Sequence, residues 1–160
     1  MKKIEGTVLL TRKFDIELDK WMKLKKRYKI DLALILFDID DFKAKNDEYG
    51  HMEGDKFIKE FASCVSRFTR ETDTFARWGG DEFAIILPNT NALQAFNLAK
   101  RIKENVNGFV FSNGETITCS FGVAQAEAEE DSETLMQKTD NLLYTAKKNG
   151  KNMIVSEELV

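Results

Sequence analysis

Two adjacent acids follow a pair of glycines in residues 79–82, which read Gly-Gly-Asp-Glu. Apolar, β-prone runs at 74–76 and 83–87 flank them. Two glycines between such runs predict a β-hairpin with a type I′ turn, because both central residues of that turn need positive φ. At such a tip, beside backbone without side chains, Asp81 and Glu82 would let a bulky anion approach through a bridging cation. Taken alone, the same residues also fit a solvated hairpin tip.

A second group of acids follows the apolar run 32–37, which is typical of a strand buried on both faces. Residues 38–41 read Asp-Ile-Asp-Asp, and we expect Asp38 and Asp40 to point the same way because residues two apart on a strand share a face. If this strand lies beside the hairpin, three or four carboxylates converge at one edge, with Lys43 nearby. Such oxygen ligands suit Mg²⁺, which commonly bridges protein acids to nucleotide phosphates. A strand that simply ends in a polar turn is the alternative.

Other common phosphate-binding and catalytic motifs are missing from the sequence. There is neither a P-loop G-x-x-x-x-G-K-[ST] nor a G-x-G-x-x-G, so metal ions, lysines and backbone would have to hold phosphates. The sole histidine, His51, lies in a glycine-rich stretch, and the sequence supports no serine partner for it in a hydrolase triad. Cys64 and Cys119 fall in apolar periodic segments and resemble buried thiols, so no zinc site is expected.

The composition is that of an ordinary globular protein. The chain has 160 residues, of which 42% are hydrophobic and 32% charged, so we expect one domain spanning residues 1–160. A net charge of −3 offers no basic field for nucleic acid or for an anionic membrane. No apolar run approaches the length of a membrane span, about 18 residues, and the N-terminus lacks a signal-peptide core. We therefore expect a cytoplasmic protein.

Apolar periodicity and turn residues predict the remaining elements. Helices are expected at 11–28, at 42–46, from 55 to 70, from 92 to 106 and from Asp131 or Ser132 to Gly150; strands are expected at 116–124 and 153–155, and a loop at 47–55. This order of helices and strands favours an α+β sandwich with a mainly antiparallel central sheet flanked by helices.

Residues 79–83, Gly-Gly-Asp-Glu-Phe, match the signature of GGDEF domains, which are diguanylate cyclases, and the chain resembles this family over residues 30–155. Further blocks resemble the family in the expected order. They are Phe37-Asp38-Ile39-Asp40-Asp41-Phe42-Lys43, Asn46-Asp47, Tyr49-Gly50-His51, Gly54-Asp55, Ser120-Phe121-Gly122-Val123 and residues 144–152. Several independent blocks in order favour this family over a merely solvated hairpin tip.

The resemblance implies a fold similar to nucleotidyl cyclases and polymerase palms. It also implies a bacterial signalling enzyme that converts two GTP into cyclic di-GMP and two pyrophosphates. Asp38 and the backbone carbonyl of Ile39 would bind Mg²⁺ or Mn²⁺, and Asp81 and Glu82 would complete a site for two ions in each half-site. Asp81 or Glu82 would also take the proton of the attacking 3′-hydroxyl.

The resemblance further implies which residues bind the substrate. Asn46 and Asp55 would read the guanine, since Asp55 accepts from the N1–H and the exocyclic amine, a pattern that adenine cannot present. The other implied substrate-binding residues are Phe42, Lys43, His51, Gly79, Gly80, Lys147 and Lys151.

Residues 70–73 read Arg-Glu-Thr-Asp, which by itself fits a helix C-terminus followed by the start of a strand. The family places a product-inhibition site here, an Arg-x-x-Asp in which the arginine forks onto guanine or phosphate. Arg101 on the next helix matches the further arginine that such sites often use. The resemblance therefore implies that Arg70, Asp73 and Arg101 bind cyclic di-GMP as a feedback inhibitor.

The chain departs from the family pattern in two places. Residues 6–14 keep only the basic end of the Asp-x-Leu-Thr-Gly-Leu-x-Asn-Arg-Arg turn with which such domains usually open, so residues 1–29 form a divergent N-terminal helix region. Lys151 stands where arginine is common, which keeps the charge and loses the bidentate fork. No sensory domain is recognised within these residues.

One domain presents one GTP site, whereas the reaction joins two GTP molecules, so the resemblance implies a transient homodimer. No coiled coil is evident that would raise the effective concentration of a second copy. Two other functions remain open: a non-catalytic receptor for GTP or cyclic di-GMP, and a protein-interaction module that has kept only the fold. The intact Asp38, Asp81 and Glu82 favour the active enzyme.

Overall fold

The computed structural model describes residues 11–111 and 113–157, so residues 1–10 of the divergent N-terminal region lie outside it. Five helices and five strands lie in these ranges, which confirms the α+β class. In chain order they are α1 (Thr11–Tyr28), β1 (Leu32–Ile39), α2 (Phe42–Tyr49), α3 (His51–Ser66), β2 (Thr74–Arg77), β3 (Glu82–Pro88), α4 (Ala92–Asn107), β4 (Cys119–Gln125), α5 (Ser132–Lys148) and β5 (Ile154–Ser156). No helix in the two described ranges is long and apolar enough to cross a membrane.

The five strands form a sheet in the order β2-β3-β1-β4-β5, with β1 at its centre. β1 pairs antiparallel with β3 and with β4, β2 pairs antiparallel with β3, and β5 runs parallel to β4. All residues of β1 are buried, which is why its sequence is almost continuously apolar. The mainly antiparallel sandwich that the sequence predicts is therefore confirmed.

Side chains of β1 alternate between two apolar layers. Its odd-numbered residues face a layer that includes α3 and α4, and its even-numbered apolar residues face α1 and α5. Phe37 stacks on Phe83 of β3 and on Phe121 of β4, with ring centroids 5.5 and 5.1 Å apart. Such aromatic pairs are each worth about 0.5–1.5 kcal/mol beyond the area that they bury. They hold the three central strands in the register that positions Asp38.

The prediction of a loop at residues 47–55 is wrong. α2 runs on to the residue before Gly50, which alone turns the chain with a φ of 86°, and α3 begins at His51. Gly54 lies inside α3. The side chain of Asn46 packs against it and leaves no room for a Cβ, which explains why this helical position is a glycine. Here the glycine marks a close approach of two helices rather than a break.

Several other boundaries differ from the prediction by a few residues. α3 ends at Ser66 rather than near residue 70, and β4 begins at Cys119 rather than at 116. Asp131 rather than Ser132 caps α5, because its carboxylate accepts a hydrogen bond from the Thr134 N–H at 2.8 Å.

Candidate active site

The acids expected to bind metal lie at one end of the central strands. The β1–β3 register puts Asp38 opposite Glu82, and the Ile39 N–H donates to the Asp81 carbonyl at 3.2 Å. Asp38 is only 2% exposed, whereas Asp81 and Glu82 are half-buried. The structure therefore brings all four expected ligand residues together, with the acid of β1 buried and the hairpin acids accessible to solvent.

The hairpin that carries two of these acids does not have the predicted type I′ turn, because neither Gly79 nor Gly80 has a positive φ. The N–H groups of Trp78 and Gly79 instead both donate to the Glu82 carbonyl, at 2.6 and 3.2 Å. The Arg77 guanidinium donates to the carbonyls of Gly79 and Gly80 at distances of 2.7 to 3.1 Å. These hydrogen bonds hold the conformation of the tip, a role of Arg77 that no sequence motif indicates.

The two carboxylate oxygens of Asp38 have different surroundings. Oδ2 contacts the Lys147 ammonium directly, and Oδ1 is buried without a hydrogen-bond partner among the described residues. Burial raises the pKa of the Asp38 carboxyl to about 6; Lys147 opposes the rise, and the charges of Glu82 and Asp81 add to it. Burial lowers the pKa of Lys147, but its contact with Asp38 more than compensates, so that pKa lies above its usual value.

The unpartnered oxygen of Asp38 is suited to a cation. A buried carboxylate oxygen without a donor is unfavourable, and a cation supplied from solution would satisfy it. Within residues 11–111 and 113–157, no three His, Cys, Asp or Glu side chains form a group that could hold a metal ion by themselves. Mg²⁺ usually keeps several waters and binds through one or two carboxylates plus substrate phosphates. Asp38 and the hairpin acids therefore fit Mg²⁺ bound together with a nucleotide.

Asp40 does not join these acids. Its buried carboxylate accepts hydrogen bonds from the hydroxyls of Thr118 and Ser120, at 2.6 and 2.7 Å. It also accepts a bond from the Asn152 N–H at 3.0 Å. Three carboxylates rather than four therefore meet at this end of the sheet.

The cations expected to bind phosphates lie around the start of α2. Lys43 is exposed on its first turn, and the lysine that contacts the acids is Lys147 rather than Lys43. Lys151 donates to Asp41 at 2.7 Å, and Asp41 has a left-handed φ of 58° and makes no side-chain cap bond to α2. A helix N-terminus with lysines beside it attracts anions. This end of α2 can therefore receive a phosphate.

The residues expected to read the base lie on α2 and α3. The side chain of Asn46 packs against Gly54, and Asp55 is the residue directly after Gly54 in the sequence. His51 and Asp55 are four residues apart on one face of α3, and both are exposed. The cavity that Phe42, Gly54 and Glu115 help to line has a volume of about 10 Å³, which is room for one water at most. A purine would therefore have to bind at the exposed face of the helix pair.

Glu115 fixes α2 to the segment before β4. No sequence pattern indicated this attachment. Its carboxylate accepts from the Tyr49 hydroxyl at 2.5 Å and from the Lys45 ammonium at 2.9 Å. The hydrogen bonds from Tyr49 and then Lys45 lower the pKa of Glu115. Lys45 and Tyr49 share a face of α2, but no local pattern links them to an acid so distant in sequence.

The three residues expected at the product-inhibition site line one cavity of about 180 Å³. Asp73 is 4% exposed and accepts from the backbone N–H of Arg70 at 2.8 Å and from its guanidinium at 3.1 Å. The same guanidinium donates to the Thr90 hydroxyl at 2.9 Å, and Arg101 is exposed on α4. The alternative of a helix C-terminus is wrong for Arg70, because α3 ends at Ser66.

Comparison with known proteins identifies the family to which this chain belongs and agrees with its fold. A family model described as diguanylate cyclase, GGDEF domain, matches residues 7–153. The chain therefore belongs to the GGDEF domain family. It is 38% identical over 127 residues to diguanylate cyclase A of Treponema denticola, an alignment that covers 77% of this chain and 34% of that protein. The chain spans about a third of the length of the curated relatives that it matches.

Two solved structures show how closely the fold agrees. The GGDEF domain of DgcB from Caulobacter crescentus, in complex with c-di-GMP, superposes with a TM-score of 0.91 at 30% identity, covering 98% of this chain and 95% of that one. The active GGEEF domain of a diguanylate cyclase from Vibrio cholerae gives a TM-score of 0.87 at 30% identity, covering 93% and 97%. The fold expected from the resemblance is thus confirmed.

Proposed function

We propose that this chain is a catalytically active diguanylate cyclase domain that condenses two GTP into cyclic di-GMP and releases two pyrophosphates. The observation that carries the proposal is the register of Asp38 against the hairpin acids, together with the buried Asp38 oxygen that lacks a donor. A diguanylate cyclase at 38% identity supports it. So does an active GGEEF domain of nearly the same extent.

Asp38, the Ile39 carbonyl, Asp81 and Glu82 would hold two Mg²⁺ or Mn²⁺ in each half-site. When bound, such ions supply positive charge to the attacking and leaving oxygens and lower the pKa of the 3′-hydroxyl. The 3′-oxygen of one GTP attacks the α-phosphorus of the other, and the bond from that phosphorus to the pyrophosphate oxygen breaks. The hydroxyl proton passes to Asp81 or Glu82, the acids that solvent can reach.

The triphosphate would lie between the start of α2 and the hairpin. Lys43, Lys147 and Lys151 would neutralise its charge from α2 and from the end of α5. Gly79 and Gly80 would let it approach the hairpin backbone, because they present no side chains.

The guanine would bind at the exposed face of α2 and α3. Asn46 and Asp55 would hydrogen-bond its edge, with His51 beside it on the same face of α3. Phe42 would support this site from the core, since its ring packs on that of Phe57 with centroids 5.9 Å apart.

Two copies of the chain would be needed for each turnover, because each offers one set of acids. They would meet about a two-fold axis, and each would present the 3′-hydroxyl of its GTP to the α-phosphate of the other. The product would then bind at Arg70, Asp73 and Arg101 and inhibit its own synthesis.

The test is incubation with GTP and Mg²⁺ followed by chromatography of the products. We expect cyclic di-GMP and pyrophosphate from the wild type, and a loss of orders of magnitude in rate for Asp81→Ala, which removes a metal ligand. Asp15→Ala, at an exposed position of α1, is the matched control. EDTA should stop the reaction and Mn²⁺ should restore it. Near wild-type product formation by Asp81→Ala would contradict the assigned site.

A non-catalytic receptor for GTP or cyclic di-GMP is the second candidate. It is favoured by the cavity at Arg70 and Asp73, whose contacts do not involve the metal-binding acids. This candidate predicts that calorimetry detects cyclic di-GMP binding while the turnover assay yields no product.

A further inference from the structure

A buried carboxylate lies next to the metal-binding acids and takes no part in the proposed chemistry. Asp40 is 7% exposed and accepts hydrogen bonds from Thr118 Oγ1 at 2.6 Å, Ser120 Oγ at 2.7 Å and the Asn152 N–H at 3.0 Å. Its own N–H donates to the Thr118 carbonyl at 2.9 Å. One residue thus ties the end of β1 both to the start of β4 and to the loop between α5 and β5.

That loop has a conformation that residues other than glycine rarely adopt. Lys151 and Asn152 have consecutive positive φ values of 63° and 50°. Such a pair is unfavourable for residues with a Cβ and persists only where surrounding contacts determine it. The Lys151 N–H donates to the Ala146 carbonyl at 3.0 Å. The Asn152 N–H is shared between Asp40 Oδ2 at 3.0 Å and Ser120 Oγ at 3.2 Å.

The loop conformation places Lys151 at the phosphate end of the proposed nucleotide site. Its ammonium donates to Asp41 Oδ1 at 2.7 Å, directly before α2. Lys147, one helical turn earlier, contacts Asp38 from the end of α5. Without the bond between Asn152 and Asp40, the two residues could relax to ordinary φ values, and Lys151 would move away from α2.

We propose that Asp40 is a positioning residue for substrate binding and not a metal ligand. Through the Asn152 N–H it holds the loop that presents Lys151 to the triphosphate of GTP. This role rests on the proposed function, because it requires the phosphates to bind beside α2.

The test is a double-mutant cycle on the affinity of an unreactive GTP analogue with a methylene group between its α- and β-phosphorus atoms. Calorimetry with Mg²⁺ should show Asp40→Asn and Lys151→Met each binding about tenfold more weakly, the effect of one charge-assisted hydrogen bond. Coupled residues are non-additive, so the double variant should bind no more weakly than Lys151→Met alone. Asp31→Asn, an exposed residue just before the other end of β1, should bind like wild type.

Guanosine separates positioning of the phosphates from a general loss of the site, and Asp40→Asn should leave its affinity unchanged. If Asp40→Asn does not fold, Thr118→Val replaces it in the double-mutant cycle with Lys151→Met, because this variant removes one hydrogen-bond donor to Asp40. Three results would each overturn the positioning role of Asp40 without contradicting the proposed function. They are wild-type affinity of Asp40→Asn for the analogue, additive losses in the cycle, and an equal loss of affinity for guanosine. A wild-type protein that does not bind the analogue would overturn the proposed function as well.

Discussion

The Lys147 ammonium contacts the Asp38 carboxylate at the buried end of β1, beside the hairpin acids. A lysine at the end of α5 thus partly balances a negative charge that burial makes unfavourable. The balance is incomplete, since the pKa of Asp38 still lies at about 6 rather than at its usual 3.8. The acid that the proposed chemistry needs therefore reduces the stability of the fold at neutral pH.

Asp38→Asn should make the metal-free protein more stable and inactive. From about pH 4 to about pH 6 the folded state binds the Asp38 proton more tightly than the unfolded chain does, so the contribution of this group to stability falls as pH rises. A shift of about two pKa units corresponds to about 3 kcal/mol at most, and we expect a gain of about 1–3 kcal/mol near neutral pH. Thermal unfolding in EDTA across this pH range measures it.

Asp15→Asn, on the exposed face of α1, is the control for that measurement and should unfold like wild type. If Asp38→Asn is no more stable than wild type near neutral pH, burial does not destabilise the Asp38 carboxylate.

Gly54→Ala should weaken GTP binding more than it lowers the free energy of unfolding. The new Cβ would overlap the Asn46 side chain, which must move away from the position in which it would read guanine. We expect KM for GTP to rise about tenfold, the effect of one lost hydrogen bond to the base. Gly108→Ala is the matched control, because its nearest neighbour would be the Glu104 carbonyl at 3.6 Å. An unchanged KM in Gly54→Ala would show that Asn46 does not bind the base.

Arg70→Ala should abolish product inhibition while leaving the initial rate close to wild type. The Arg70 guanidinium is fixed by Asp73 at the edge of a cavity that does not include the acids proposed to bind metal. The wild-type progress curve should therefore flatten as cyclic di-GMP accumulates, and that of the variant should stay straight. Identical curves, with no product binding by calorimetry, would assign Arg70 and Asp73 a purely structural role.

Specific activity should rise with protein concentration, because the proposed reaction joins two GTP molecules held by two chains. The surfaces that meet would be largely nucleotide, metal and polar rim, which provide little apolar area to hold a dimer. An N-terminal leucine-zipper fusion should raise the activity of dilute protein by raising the effective concentration of the second copy. Constant specific activity over about a hundredfold dilution, with a monomer throughout by light scattering, would contradict this mechanism.

The central sheet could be predicted from the sequence because its signals are local. The continuous apolar run of β1 and the alternation of Ile117, Cys119, Phe121 and Val123 each follow from which faces are buried. The boundary between α2 and α3 could not be predicted in the same way. A glycine such as Gly54 breaks a helix in one context and permits close packing in another, and its partner decides which.

The details of the site depend on partners that are distant in sequence. Asp38 and Asp40 look equivalent along the strand, but hydroxyl groups of Thr118 and Ser120 bind Asp40, and Lys147 contacts Asp38. The turn of the hairpin likewise involves a side chain, since the Arg77 guanidinium donates to the carbonyls of Gly79 and Gly80. Sequence patterns identify which residues are acidic, whereas the fold decides what each acid binds.

The central position of β1 has a consequence for local unfolding. Its amides are paired on both sides, so hydrogen exchange along this strand should require the largest opening of the domain. The helices expected to bind guanine instead lie outside the sheet, with Gly50 as the one residue between them in sequence. Local opening of the exposed first turn of α3, which carries His51, should therefore require less free energy than opening of the strand that carries Asp38.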